Sequence, residues 1–140
     1  MNYTVTGAAF RIIVATLLLA ISPYSTAQPK IPPKYTATGI EIGQLPKYCA
    51  AQYIDGAYFG HPIYSIPEAC GTYTNHFCPG LVKYMQGTEF SKPKAQRREL
   101  LRMAADDMQY TLSHITPSCP IYADTQNAAR RVEMMRNMLK

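Results

Sequence analysis

Four cysteines follow an N-terminal stretch with the form of an export signal, and no other feature narrows the possible folds as much. Met1 to Arg11 is polar, with Arg11 its only charge, and an apolar run from Ile12 to Ile21 comes next. A membrane-spanning helix needs about 20 apolar residues, whereas a signal-peptide core needs roughly 7–15. Ser22-Pro23 interrupts the run, and Ser25-Thr26-Ala27 supplies small residues for a signal peptidase, so the sequence predicts cleavage after Ala27. The run is short for the alternative, an uncleaved anchor. Lipid attachment has no residue to use, because the first cysteine is Cys49.

Export changes how the cysteines are read. In an oxidising compartment Cys49, Cys70, Cys78 and Cys119 are expected to form two disulfides, each worth roughly 2–4 kcal/mol to a small domain. Three connectivities are open to four cysteines, and spacing does not choose among them. Neither the C-x-x-C of a redox pair nor the C-x-x-C-H of a haem site is present.

Cleavage leaves 113 of the 140 residues, enough for one small core. Arg11 is the only charge removed, so the net charge falls from +5 to +4. That balance suits solubility and a mild attraction to anionic surfaces. With no nucleic-acid motif in an exported chain, nucleic acid is set aside as a partner. Tyrosine dominates the aromatic residues, at 11 against 4 phenylalanines and no tryptophan. A tyrosine buries its ring and keeps a hydroxyl for water or a partner, which suits recognition and equally suits the polar edge of a small core.

Beyond the signal at 1–27, residues 28–46 hold Pro29, Pro32, Pro33 and Pro46 and are expected to form an extended leader. Residues 47–140 are expected to fold as an all-α domain. Tyr48, Ala51 and Ile54 share one face of a short helix that ends near Gly56, and 59–74 reads as an irregular loop. A helix over 75–86 fits Pro79 in its first turn, capped by Thr74 or Asn75 and ended by Gly87. Ser91 is placed to cap a longer helix with Pro93 in its first turn. There Leu101, Ala105, Met108, Leu112 and Ile115 form an apolar stripe, and Arg102 and Asp106 an exposed pair. Thr116-Pro117 ends it. Ser118 or Cys119 then caps a last helix that opens with Pro120, with Ile121, Ala128, Val132, Met135 and Leu139 as its stripe. No segment alternates as a half-buried strand does. The expected architecture is a disulfide-stapled helical hairpin array of three to four helices, packed like a helical repeat after its leader. The residue pattern of a tetratricopeptide repeat is not in register, and no segment recurs.

The densest cluster of chemically capable side chains is Cys70, His76 and Cys78. Thiolates and an imidazole suit zinc or copper, so a metal-handling protein is the alternative to a disulfide scaffold with no cofactor. His61 or Cys49 are the available fourth ligands. Met134, Met135 and Met138 lie within one helix, where packing is the ordinary use of methionine and copper(I) binding the special one. Asp106 and Asp107 point about 100° apart on a helix and read as a solvated, salt-bridged face. Lys92, Lys94, Arg97, Arg98 and Arg102 gather at the start of the long helix, where cations oppose its dipole. They are candidate contacts for an acidic partner, anionic headgroups or a polyanionic glycan; Tyr73 and Tyr84 are candidate aromatic contacts.

The segment Asn75-His76-Phe77-Cys78-Pro79-Gly80-Leu81-Val82, followed by a lysine-bearing loop and an amphipathic helix with Tyr110, resembles a group of uncharacterised exported proteins of Gram-negative bacteria. In that group a His-aromatic-Cys segment leads into helical hairpins, and the likeness covers roughly residues 48–122. The resemblance implies a periplasmic helical protein and brings no activity with it. The functional expectation is a non-enzymatic interaction or scaffold module, periplasmic or secreted, with a protein partner in the cell envelope and possible contact with a membrane surface.

Overall fold

The computed structural model describes residues 36–54 and 56–140. The expected signal peptide and the first part of the leader lie outside the described residues. Within them the chain is all-helical, with α1 (Gly39–Gln44), α2 (Ala50–Tyr53), α3 (Phe77–Thr88), α4 (Lys94–His114) and α5 (Tyr122–Met138) joined by 3₁₀ turns. The last three form the expected hairpin array, with α4 between α3 and α5. Two short helices, α1 and α2, raise the number to five.

Residues 36–46 depart from the extended leader expected of them. Thr38 begins α1 with a reciprocal cap: the Glu41 N–H donates to Thr38 Oγ1 at 3.2 Å, and the Thr38 N–H donates to Glu41 Oε2 at 2.6 Å. That pairing satisfies two helix-end donors at once. Ala37, Ile42 and Leu45 pack on the main core, so this segment belongs to the domain. Burial by itself raises the Glu41 pKa, but the Thr38 backbone, Gln86, the Thr38 hydroxyl and Lys92 outweigh it and hold the carboxyl below its ordinary value of 4.5.

Two disulfides form, Cys49–Cys78 and Cys70–Cys119, with Cα separations of 5.7 and 5.0 Å. They join the irregular half of the domain to the ends of α3 and the α4–α5 turn. Around them the core gathers Tyr53, Phe77, Val82, Met108, Ile121 and Val132.

Helix α3 begins at Phe77, two residues before Pro79, where a missing N–H costs nothing. Neither Thr74 nor Asn75 caps it. His76 holds that position, and its side chain is committed elsewhere. Gly80 and Gly87, two turns apart on α3, face α4 directly. A Cβ on Gly80 would lie 2.9 Å from Asp107 Cβ, and one on Gly87 would lie 2.7 Å from Leu101 Cγ. As residue numbers rise along α3 they fall along α4, so the pair is antiparallel and close-packed. Helix α4 starts at Lys94 after an uncapped Pro93, and Ser91 does not cap it. Its buried line is Arg97, Leu101, Ala104, Met108 and Thr111, continued by Ile115 just beyond the helix, so Ala105 and Leu112 are only half-buried. Helix α5 likewise starts late, at Tyr122, leaving Pro120 in the preceding turn. Thr125, Ala128 and Val132 form its buried side. Thr111 and Thr125 pass as core residues because each hydroxyl donates to the carbonyl four residues back, Asp107 O at 2.9 Å and Ile121 O at 2.8 Å.

The two bridges close sequence separations of 29 and 49 residues. Chain-entropy arguments assign them about 3.5 and about 4 kcal/mol. Replacing either pair with alanine is expected to lower the urea midpoint accordingly, and peptide mapping of the native protein should return only these two pairings. Glu41 titrates lower in the fold than in the unfolded chain. Its contribution is therefore complete above 4.5 and disappears as pH falls through the folded value. Glu41→Gln should reduce stability at neutral pH and leave it unchanged in strong acid; an equal loss at both would show that Glu41 acts through shape alone.

Candidate functional site

The polar centre of the molecule is a single carboxylate. Asp107 lies on the side of α4 that faces α3, with 10% of its side chain exposed. One oxygen accepts from His76 Nδ1 at 2.9 Å and the other from Lys83 Nζ at 2.5 Å. A carboxylate only accepts, so His76 carries a proton on Nδ1. Asp107 is thus not the solvated neighbour of Asp106 that the sequence suggests. Asp106 does remain at the surface, in the expected pair with Arg102 at 2.6 Å, which Glu99 joins at 2.7 Å. The hydrogen bond to Arg102, and its charge, hold the Glu99 carboxyl below its ordinary value.

Four aromatic side chains extend from this carboxylate. His76 packs on Tyr110 with ring centres 4.3 Å apart, Tyr110 on His114 at 4.4 Å, and His114 stacks on Tyr73 at 4.4 Å. Tyr110 and His114 are one turn apart on α4, while Tyr73 and His76 come from the 3₁₀ turn Thr72–His76. The His114 Nδ1–H donates to Tyr110 O at 2.7 Å, which fixes that ring as well. Tyr73, Tyr110 and His114 are exposed and His76 is half-exposed. The sequence pointed to Tyr73 and His76 separately. It gave no sign of their union with Tyr110 and His114, whose only signal was a helical spacing of four.

The metal alternative loses its thiolate ligands. Cys70 and Cys78 sit in different disulfides, and the oxidised sulfurs are not thiolates. Met134 and Met138 stand exposed and Met135 half-buried on α5.

The basic cluster is divided by the fold. Arg97 is buried; its Nε donates to Gly87 O at 3.1 Å, and its guanidinium lies 4.6 Å from the centre of the Phe90 ring. A cation there complements the C-terminus of α3, so Arg97 serves the preceding helix and is withdrawn from the contact set. Lys92 pairs with Glu89, and Arg102 with Glu99 and Asp106. Arg98 and Lys94 are exposed, and Lys94 Nζ reaches Lys140 O at 3.4 Å.

Tyr84 lines a separate groove of about 350 Å³ between α3 and α5, with Leu45, Tyr48, Phe77, Leu81 and Arg131. Tyr48 Oη–H donates to Asp124 Oδ2 at 2.9 Å across its mouth, and burial first, then Asp124, raise the Tyr48 pKa.

Comparison with known protein families, characterised proteins and solved structures returns no match. Among the described residues no helix is long and apolar enough to cross a membrane.

Asp107→Asn keeps the shape of the side chain and removes the charge that Lys83 and His76 share. The expected cost is about 1–3 kcal/mol in urea denaturation, with altered ring resonances for Tyr110 and His114. An unchanged midpoint would remove Asp107 from its organising role.

Proposed function

We propose that this chain is an exported, non-enzymatic interaction module whose contact face is the array Tyr73–His114–Tyr110–His76. The observation that carries the reading is a surface of four touching rings fixed from below by a buried carboxylate. Tyrosine and histidine rings offer a large apolar contact area together with polar edges, and they lose little entropy on binding when already held. The cysteines, which nucleophilic or redox chemistry would draw upon, are engaged in bridges. Two disulfides are compatible with an oxidising compartment, which supports export, periplasmic or secreted, and an envelope protein as partner.

A photo-crosslinking side chain at position 73, introduced in exporting cells, is expected to give one discrete protein adduct. Tyr110→Ala should weaken that adduct at least tenfold, and the same probe at Gln126, exposed on α5, should give none. Equal adducts from both positions, or none from position 73, would overturn the proposal.

A further inference from the structure

The large apolar side chains that the fold leaves most exposed are Phe90 at 86%, Ile40 at 77% and Met138 at 72%. They come from three separate parts of the chain whose elements lie toward one end of the helical array. Phe90 is in the α3–α4 turn. Met138 closes α5, which the contact of Lys94 Nζ with Lys140 O at 3.4 Å brings to the start of α4. Ile40 precedes Glu41, which binds the Gln86 side chain at the end of α3 and feels the charge of Lys92.

Phe90 is held in its exposed position. One face of its ring rests on the Arg97 guanidinium, and Arg97 is buried and bonded to Gly87 O. A cation–π contact of this kind biases an otherwise free ring. Lys94, Arg98 and Lys140, near one another where the start of α4 meets the end of α5, have no acidic side chain bound to them among the described residues. Arg98 and Lys140 share a polar groove with Arg102, Arg136 and Glu99, whose carboxylate is taken up by Arg102.

From this arrangement we infer that the Ile40–Phe90–Met138 end docks on an anionic lipid bilayer surface. The three apolar side chains stand on separate elements, on α1, in the α3–α4 turn and at the end of α5, with exposed cations at Lys94, Arg98 and Lys140. A protein partner would need a matching relief to bury them, whereas the headgroup region accepts isolated apolar projections and pairs its phosphates with lysine and arginine. The inference does not rest on the aromatic array, which involves none of these residues.

The absence of tryptophan from the sequence provides a clean test. The chain processed after Ala27, carrying Phe90→Trp, is mixed with vesicles of phosphatidylglycerol and phosphatidylethanolamine, and separately with phosphatidylcholine vesicles. The expected result is a blue-shifted emission, protected from iodide, with the anionic vesicles only. Phe59→Trp, also exposed but on the irregular segment, should show no shift. In flotation assays Phe90→Ser with Met138→Ser should weaken binding at least tenfold. Neutralising Lys94, Arg98 and Lys140 with glutamine should weaken it roughly a hundredfold at low salt, about fivefold per cation. These positions are exposed, so the variants should keep their helical circular dichroism. No flotation with anionic vesicles would overturn the proposal. So would binding that the apolar substitutions leave unchanged, which would indicate attraction of charge alone with no docking of this end.

Discussion

Between Lys47 and His76 the chain makes only 3₁₀ turns and the four-residue α2. A segment of that kind has too few internal contacts to order itself, since each fixed residue costs about 1–2 kcal/mol of backbone entropy. Cys49–Cys78 and Cys70–Cys119 fasten it to α3 and to the α4–α5 turn, and both sulfur pairs are buried in the main core. The remaining contacts depend on that fastening. Tyr53 and Phe77 then share a core, and the turn Thr72–His76 lies along α4 closely enough for His76 to reach Asp107.

Inside this frame two of the three buried charged residues, Asp107 and Arg97, define the polar contacts between α3 and α4. Asp107 collects His76 and Lys83 from α3 and its leading turn, so an ion that is costly to bury alone is met at both oxygens. Arg97 sits two turns and more toward the other end of α4 and satisfies the last turn of α3 through Gly87 O. The two glycines that let α3 approach α4 stand near these two charges. Gly80 meets Asp107 and Gly87 meets Leu101, so close packing and charge burial occur at the same two levels. Each charge also has a surface consequence: Asp107 orders the aromatic array, and Arg97 supports Phe90.

Much of the fold was legible in the chain. The spacing of Leu101, Met108 and Ile115 marked α4, Ala128 and Val132 marked α5, and the prolines fixed where helices begin to within a few residues. The helix α1 was hidden because the prolines on either side of it set an extended expectation, although Thr38 and Glu41 carry the spacing of a capping box. A stripe through Ala105 and Leu112 misses Ala104 and Thr111, which α4 buries; Thr111 can be buried because its hydroxyl is satisfied within the helix. The candidate site was less legible. Asp107 and Arg97 each sat in a row of charges, and nothing in a row of charges says which member turns inward.

By itself the sequence determined the helical class, the positions of the breaks and the even set of four cysteines, because these follow from local periodicity, proline geometry and composition. The tertiary structure alone decided which cysteines join, which charges are buried and which aromatic rings touch. Those outcomes depend on residues brought together from 31 positions apart, as in His76 and Asp107, or 49, as in Cys70 and Cys119. Contacts at such range are set by how helices pack, and local pattern carries no record of them.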